Sequence, residues 1–262
     1  MTLRLHTVVD GPADGVLVLG PSLGTDTGVW DDQLPVLAAQ VRTVRFDLPG
    51  HGGSPDPGGP LTVADLADGV LAALDDLGVD RFHYAGVSLG GAIGQHLAVH
   101  SGRILSLIAV ATSCRFPDPP SWHARAEAVR AGGTSTMVGS RAGVWYTDDL
   151  ARNRPGRVAA LLDMLRATSA EGYAACCEAV GTFDMRDALA AVTVPTTVVA
   201  GADDPATPPD HVADIATRIP GARLRVLPGA HLPNLESADA VTALLLDQVG
   251  AGVGRRRPEA PR

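Results

Sequence analysis

A serine, an aspartate and a histidine occur in an order and in surroundings that suit nucleophilic catalysis. Ser88 lies between two glycines in the stretch 86–90, after an extended segment and before a segment with the spacing of a buried helix. Such a stretch is typical of a sharp strand-to-helix turn that exposes the serine hydroxyl, where Cβ atoms beside the serine would collide with the neighbouring strand and helix. The pentapeptide alone also fits a glycine-rich turn with an incidental serine, so the assignment of Ser88 as nucleophile depends on partners.

A serine nucleophile needs a base that accepts its proton and an acid that orients the base. His231 follows a predicted strand at 223–227, and Asp203 and Asp204 follow a predicted strand at 196–200. Ligands of open α/β sheets bind at such strand ends, so we expect these side chains at one site. We take His231 as the base and Asp204, beside a proline, as its partner. Asp203 is the competing choice, and a turn or helix cap is the alternative use of both aspartates.

Acyl transfer also needs two backbone N–H groups that stabilise the oxyanion. The first is expected from Leu89, directly after the serine, where the helix dipole helps. The second is expected from the loop at 20–26, after the first core strand, and Leu23 is our choice. The alternative is that this loop is a glycine-rich connection and nothing more.

The segments around these residues alternate between strand and helix patterns, which predicts an α/β fold. Its central sheet should be mostly parallel, with helices on both faces. The helix at 62–77 has an apolar stripe and a predicted capping box of Thr62 and Asp65. Strands are predicted at 15–19, 41–46, 81–85, 104–112, 195–200 and 223–227, and further helices at 91–100, 122–131, 157–168, 171–181, 209–219 and 238–249.

The stretch 116–192 is predicted to contain helices only, and it is too long to be a loop. We interpret it as an all-helical cap inserted into a core formed by residues 1–115 and 193–250. Residues 251–262 are predicted to be a disordered tail.

Composition excludes several classes of protein. The chain has 262 residues, 45% of them hydrophobic, which allows one large core or two modest ones. Its net charge is −8 and its one basic cluster lies at 255–257, so nucleic acid is not an expected partner. No apolar run is long enough to span a membrane, and the first residues lack the apolar segment of a signal peptide. The absence of lysine excludes lysine Schiff-base chemistry and a P-loop lysine.

Neither the cysteines nor a histidine pair predicts a further reactive site. An odd number of cysteines, two of them adjacent (Cys176 and Cys177), argues against a disulfide framework and favours the cytoplasm. We expect the adjacent pair to be packing residues. His96 and His100 have a zinc-like spacing, but there is no glutamate between them and no evident third ligand. No metal site is therefore predicted.

The serine turn, the turn at 50–54 and the order of Ser88, Asp204 and His231 resemble the α/β-hydrolase family over essentially the whole chain. Within that family the chain resembles 3-oxoadipate enol-lactonases. The loop at 22–26 leading to Trp30 is similar to theirs, where many relatives have a His-Gly pair. The stretches 128–133, 171–177 and 201–208 are similar too. The chain departs from the pattern in having a tyrosine at position 146, where those proteins have phenylalanine, and a single alanine before the histidine.

The resemblance implies hydrolysis of 3-oxoadipate enol-lactone, a small anionic lactone, to 3-oxoadipate in the β-ketoadipate route of aromatic catabolism. It implies that Ser88 attacks the lactone carbonyl, that His231 transfers the protons, and that water hydrolyses an acyl-enzyme. It implies no metal or organic cofactor. Three alternatives remain open: another carboxylic-ester hydrolase, a cofactor-free perhydrolase, and a non-catalytic ligand-binding member of the fold. The oligomeric state is left open.

The implied substrate carries a carboxylate, so a chain of net negative charge needs a local cation to bind it. Without lysine, an arginine suits this task because it offers two parallel hydrogen bonds. Arg141 is the first choice and Arg130 the second, with an ordinary solvated arginine as the alternative. Trp145 and Trp122 either line the substrate site or fasten the cap to the sheet.

Overall fold

The computed structural model describes residues 3–12 and 15–253, in which helices cover both faces of a seven-stranded sheet. The strand order is β1-β3-β2-β4-β5-β6-β7, in which β1 pairs antiparallel with β3 and every other pairing is parallel. This confirms the predicted mostly parallel sheet. The strands are β1 Thr7–Asp10, β2 Val16–Gly20, β3 Arg42–Phe46, β4 Phe82–Val87, β5 Ile104–Val110, β6 Thr196–Gly201 and β7 Arg223–Leu227.

Ten α-helices are present in the described ranges. Two of them, α3 and α10, both pack on the central strands β4 and β5. The helices are α1 Leu34–Leu37, α2 Val63–Asp76, α3 Leu89–His100, α4 Pro119–Gly132, α5 Asp148–Asn153, α6 Pro155–Ala167, α7 Ala170–Thr182, α8 Pro209–Arg218, α9 Pro233–Glu236 and α10 Ala238–Val253. Short 3-10 helices occur at Thr27–Trp30, Thr134–Ser140 and Leu189–Ala191.

The start of α2 shows how local sequence fixes an element. Thr62 Oγ1 accepts the N–H of Asp65 at 3.2 Å, and Asp65 Oδ2 accepts the N–H of Thr62 at 2.8 Å. These two bonds pair two of the N–H groups that a helix N-terminus leaves free, so the predicted capping box is confirmed. The apolar stripe of α2 is buried, as predicted, through Val63, Leu66, Val70 and Leu74.

Helices α4 to α7 lie between β5 and β6, and we propose that they form a cap with the boundaries 116–192. The two ends of this insertion meet, because Met185 N–H donates to Cys114 O at 2.8 Å and Arg115 forms an isolated bridge with Asp184. Because its two ends lie side by side, the insertion can extend from the sheet while β5 and β6 remain paired. Within the insertion, α4 packs along α7.

The end of the chain differs from the prediction at its boundary. Helix α10 continues to Val253, three residues beyond the predicted end of the core. The rest of the predicted disordered tail, 254–262, lies outside the described residues. In the described ranges, no helix combines the length and the apolar character that crossing a membrane requires.

Candidate active site

Ser88 occupies a strained turn between β4 and α3. Its backbone has φ 55° and ψ −114°, a region that residues with a side chain rarely adopt. The turn is held on the sheet side, where Ser88 N–H donates to Val110 O at 2.8 Å and Thr112 Oγ1 donates to Ser88 O at 2.8 Å. This geometry places the serine at the apex of the predicted strand-to-helix turn.

The glycines beside Ser88 let three backbone segments approach one another. A Cβ on Gly86 would lie 2.3 Å from the backbone of Gly90, and a Cβ on Gly90 would lie 2.6 Å from the backbone of Gly20 in β2. Tyr84 closes the same region by donating its hydroxyl to Gly90 O at 2.9 Å. The predicted steric reason for these glycines is confirmed.

His231 and Asp204 form a buried hydrogen-bonded pair. Nδ1 of His231 lies 2.8 Å from Asp204 Oδ2, and the two residues are 5% and 3% exposed. Asp204 also accepts hydrogen bonds from the N–H groups of Ala206 and Thr207, at 2.8 and 3.1 Å, and from the Thr207 hydroxyl at 2.6 Å. Burial acts to raise the pKa of Asp204, but the hydrogen bonds from His231 and Thr207 outweigh it, so the pKa lies below its usual value. The carboxylate is therefore ionised and fixed.

The geometry distinguishes between the two neighbouring aspartates. Asp203 is exposed, and its N–H is bound to Gly229 O at 3.0 Å, while Asp204 turns towards His231. Both Ser88 and His231 line one cavity, and no hydrogen bond of 3.5 Å or less joins their side chains in the described structure. Catalytic hydrogen bonds of this kind often tighten only when substrate is bound.

Two backbone N–H groups beside Ser88 have no acceptor within the described part of the chain. They belong to Leu89, the first residue of α3, and to Leu23, in the loop after β2, and both residues are buried. Their neighbours are paired, since Gly90 N–H donates to Pro21 O and Gly24 N–H donates to His51 Nε2, each at 3.0 Å. Buried N–H groups are rarely left unpaired, so this pair fits the predicted oxyanion hole.

His51 holds the loop that carries Leu23. It is fully buried, its Nδ1 lies 2.9 Å from Pro49 O, and its Nε2 accepts the N–H of Gly24. These two bonds require a neutral ring that carries its proton on Nδ1. Burial lowers the pKa of His51 from 6.5 to about 4, which keeps the ring neutral at physiological pH.

The depressed pKa of His51 predicts a loss of stability in mild acid. The unfolded chain binds the proton near pH 6.5 and the folded chain only near about 4. Titration of His51 therefore does not lower the free energy of unfolding above pH 6.5. As the pH decreases from 6.5 to about 4, it lowers that free energy by roughly 1.4 kcal/mol per pH unit and about 3 kcal/mol in all. We expect His51→Gln, which cannot titrate, to flatten the plot of unfolding free energy against pH over this range. Urea unfolding at several pH values would measure it, and identical slopes in both proteins would contradict the prediction.

The cavity above Ser88 has a volume of about 430 Å³ and is shared by core and cap. Its walls include three residues predicted for substrate binding, namely Arg141, Trp145 and Trp122. The others are Ser22, Leu23, Ser88, Pro117, Asp118, Ser121, Arg125, Ser140, Val144, Tyr173, Pro205, Ala206 and His231. The predicted nucleophile, base and cap residues are thus brought together.

Arg130 does not belong to this group, so its prediction as a carboxylate-binding residue is not supported. Its guanidinium is held by Glu171, at 2.9 Å, and by Glu178, both on α7. Arg130 is absent from the cavity wall. Because Nε, Nη1 and Nη2 of Arg130 each donate to one of these carboxylates, few donors are left for a substrate.

Arg125, which was missed in the sequence, lines the cavity instead. Its guanidinium lies over the ring of Trp122, at 4.4 Å, and both side chains line the cavity. The spacing of three residues between them on a helix was the available signal, because residues three apart share a face. Tyr173, on α7, also lines the cavity, and burial raises its pKa to about 12, so its hydroxyl is neutral.

Arg141 is the most buried cation of the cavity wall, at 7% exposure. It donates from Nη2 to Ser140 Oγ at 2.8 Å and lies 5.3 Å from the ring of Trp145, while its buried Nε has no hydrogen-bond partner. Burial, with repulsion from Arg125, lowers the pKa of Arg141. Within the described residues no carboxylate lies within 4.0 Å of either guanidinium.

The remaining sequence candidates form no site. His96 and His100 contact each other, with ring centroids 4.4 Å apart, and within the described residues no group of three His, Cys, Asp or Glu could hold a metal ion. Cys176 and Cys177 are buried in α7, and burial raises the pKa of Cys177 to about 12. A buried thiol of high pKa is unreactive, which agrees with a packing role.

Known proteins match this chain over most of its length. The family model of the alpha/beta hydrolase fold matches residues 15–238. 3-Oxoadipate enol-lactonase 2 of Acinetobacter baylyi is 34% identical, over 91% of this chain and 90% of that protein. Among solved structures, the enol-lactonase from Burkholderia xenovorans has a TM-score of 0.90 and 34% identity, covering 94% of this chain and 96% of that one. A malate-bound thermophilic esterase from Thermogutta terrifontis has a TM-score of 0.89 and 25% identity, covering 95% and 93%.

Proposed function

The chain belongs to the α/β-hydrolase fold family and is a carboxylic-ester hydrolase, and we propose that it hydrolyses 3-oxoadipate enol-lactone to 3-oxoadipate. The predicted family, fold and enzyme class are confirmed. The choice of substrate is supported by the names of the relatives at 34% and 32% identity, and by a feature of the cavity that is independent of those names.

That feature is a pair of cavity arginines that have no carboxylate partner among the described residues. Cap arginines elsewhere are neutralised, as Arg154 and Arg157 are by Asp32. Arg125 and Arg141 instead face the cavity that contains Ser88, and the buried Nε of Arg141 lacks an acceptor. Two guanidinium groups in a half-enclosed cavity favour an anionic ligand, and a carboxylate matches their geometry. The Thermogutta esterase, with malate bound, shows that a similar protein accepts a carboxylate-bearing ligand.

In the proposed reaction Ser88 Oγ attacks the lactone carbonyl while His231 accepts the hydroxyl proton. Asp204 holds the ring of His231 in the required tautomer and stabilises its charged form. The oxyanion of the tetrahedral intermediate accepts hydrogen bonds from the N–H groups of Leu23 and Leu89. The substrate carboxylate is bound by the cavity arginines, which orients the carbonyl towards the serine.

Collapse of the intermediate breaks the ring C–O bond and leaves an acyl-enzyme. The leaving oxygen belongs to an enol, which receives the proton from His231 and remains attached to the acyl group. Water then loses a proton to His231 and attacks the ester carbonyl, and its oxygen enters the new carboxylate. The acyl bond to Ser88 Oγ then breaks, Oγ takes back the proton from His231, and the released enol becomes the ketone of 3-oxoadipate by transfer of its hydroxyl proton to carbon, so the enzyme is restored.

The substrate proposal is tested by comparing a charged lactone with a neutral ester. We expect Arg141→Gln and Arg125→Gln to raise the KM for the enol-lactone about 10- to 100-fold, the value of a charge-assisted hydrogen bond, and to leave the KM for p-nitrophenyl acetate unchanged. The loss of enol-lactone absorbance and the release of nitrophenol measure the two reactions.

Arg130→Gln is the matched control, because it removes a cap arginine that is already paired with Glu171 and Glu178. We expect its KM values to equal those of the wild type. The substrate proposal fails if only short neutral esters, or only peroxide with acetate, are converted. The carboxylate assignment fails if all three arginine variants behave alike.

We also propose that the reaction takes place in the cytoplasm. The support is that Cys114, Cys176 and Cys177 are buried and free of disulfide bonds. An aromatic-degradation step on a small anion fits that compartment, where such intermediates are held by their charge.

A further inference from the structure

The loop of the candidate base is bound to the cap as well as to the core. His231 N–H donates to Val144 O at 3.0 Å, and Leu232 N–H donates to Trp145 O at 3.1 Å. Both acceptors lie in residues 141–147, which we name the cap arm. The arm that carries the cavity cation Arg141 therefore also holds the backbone of the histidine.

Glu236, the last residue of α9, closes a second connection between the same two segments. Its Oε1 accepts the N–H of Ala230, directly before His231, at 2.7 Å. Its carboxylate also accepts the N–H of Thr147 at 3.3 Å and the Thr147 hydroxyl, at the far end of the cap arm. One carboxylate thus joins the histidine loop to the arm.

The path of this loop depends on the same side chain. Gly229 has φ 120°, and a Cβ there would lie 2.8 Å from Glu236 Cβ, so the loop passes tightly over the glutamate. Without the carboxylate, the N–H of Ala230 and the two donors of Thr147 would have to find other acceptors. Unpaired donors in such a place are costly, so the loop would shift until they are satisfied.

We propose that Glu236 is a positioning residue that fixes His231 between the cap arm and Asp204. It is absent from the cavity wall, so it acts through the histidine loop and not on the substrate. A displacement of about 1 Å at a catalytic group lowers the rate on the order of 10²-fold. The inference rests on the proposed role of His231 as the base and is independent of which ester is the substrate.

The test compares Glu236→Ala, Glu236→Gln and Thr147→Val, with p-nitrophenyl acetate as substrate and the nitrophenol burst as a count of active sites. We expect Glu236→Ala to lower kcat per active site about 10²-fold with KM unchanged within about twofold. Glu236→Gln keeps the acceptor oxygen for Ala230 N–H and is expected to recover most of this loss. Thr147→Val, which removes one of the donors, should give an intermediate kcat.

Glu178→Gln is the matched control, because Glu178 is also half-buried and hydrogen-bonded but pairs with Arg130 far from the histidine loop. Its kcat should equal that of the wild type. The inference is overturned if Glu236→Ala keeps the wild-type kcat per active site, if KM rises while kcat does not fall, or if Glu178→Gln is equally slow. Should Glu236→Ala fail to fold, a glutamine variant with full stability but no recovered kcat overturns it as well.

The result of the Glu236 series can be distinguished from a failure of the substrate proposal. If the wild type hydrolyses nitrophenyl esters but not the enol-lactone, the substrate proposal fails and the Glu236 series still reports on the histidine. If Ser88→Ala retains full activity towards both, the proposed use of His231 fails, and the positioning role fails with it.

Discussion

Replacing Ser88 by alanine is expected to lower kcat for ester and lactone hydrolysis by a factor on the order of 10⁶. Without its Oγ no acyl-enzyme forms, and the unpaired N–H groups of Leu23 and Leu89 are left to act on a carbonyl that only water can attack. The loss of enol-lactone absorbance, followed over hours at high enzyme concentration, measures the residual rate.

The substitution should leave the fold intact. The Ser88 side chain makes no hydrogen bond within the described structure, and the strain of its backbone, at φ 55°, is the same for alanine. We expect the free energy of unfolding to change by less than about 0.5 kcal/mol. Ser101→Ala, at the opposite end of α3, is the control and should keep full activity. A Ser88→Ala enzyme that retains a hundredth of the wild-type kcat would mean that a water molecule, and not the serine, attacks the carbonyl.

The order of the catalytic candidates could be predicted because each one is marked by its immediate neighbours. The turn at Ser88 has glycines that close backbone contact requires. Asp204 follows the buried strand β6, and His231 follows β7, a half-buried to exposed edge strand that Leu224, Val226 and Leu227 still mark in the sequence. In a parallel sheet the carboxyl ends of strands meet at one edge, so local patterns were enough to bring the three together. The choice between two adjacent aspartates could rest only on which one turns towards the histidine, a property of the folded loop.

The strand β1 was not predicted, because its sequence has only a weak apolar pattern. Its four residues, Thr7–Asp10, are half-buried or exposed and lie antiparallel at the edge of the sheet. An edge strand buries little apolar surface and lacks the continuous apolar pattern of the central strands. Its existence follows from pairing with β3, which no local window of the sequence contains.

The arginines show where helical periodicity stops being informative. Arg125 and Arg130 both lie on α4, and spacing alone shows only that they project differently. Glu171 and Glu178, which neutralise Arg130, come from α7, more than forty residues away. Which arginine stays available to a substrate is decided by the packing of α7 on α4.

His51 and Glu236 were not predicted as parts of the site because both act through backbone groups of other segments. His51 accepts the N–H of Gly24, and Glu236 accepts that of Ala230. Every residue except proline has a backbone N–H, so the sequence does not indicate which N–H a side chain will bind. Only the folded chain shows that a titratable side chain accepts a backbone N–H in each of these two loops, His51 in the loop that carries Leu23 and Glu236 in the loop that carries His231.

Asp204→Asn is expected to lower kcat about 10⁴-fold at neutral pH. In the wild type, the carboxylate accepts the Nδ1 proton of His231 and leaves Nε2 free to take the proton of Ser88. An asparagine can present its NH₂ group to Nδ1 instead, which favours the tautomer with its proton on Nε2 and unable to act as base. The N–H groups of Ala206 and Thr207 strengthen this outcome, because both donate to Oδ1 of Asp204 and so favour the amide oxygen at that position, which leaves the NH₂ group at the position of Oδ2 that faces Nδ1.

Asp203→Asn is the matched comparison, since it makes the same change one residue earlier, on an exposed side chain. We expect its kcat to stay within about twofold of the wild type, because only its backbone N–H, bound to Gly229 O, has a structural role. Steady-state kinetics on the enol-lactone or a nitrophenyl ester at pH 7 would separate the two variants by several orders of magnitude. Equal and mild effects would remove Asp204 from the catalytic group, and a larger loss in Asp203→Asn would transfer the role to its neighbour. Equal and mild effects would leave the orientation of His231 to the cap arm and Glu236.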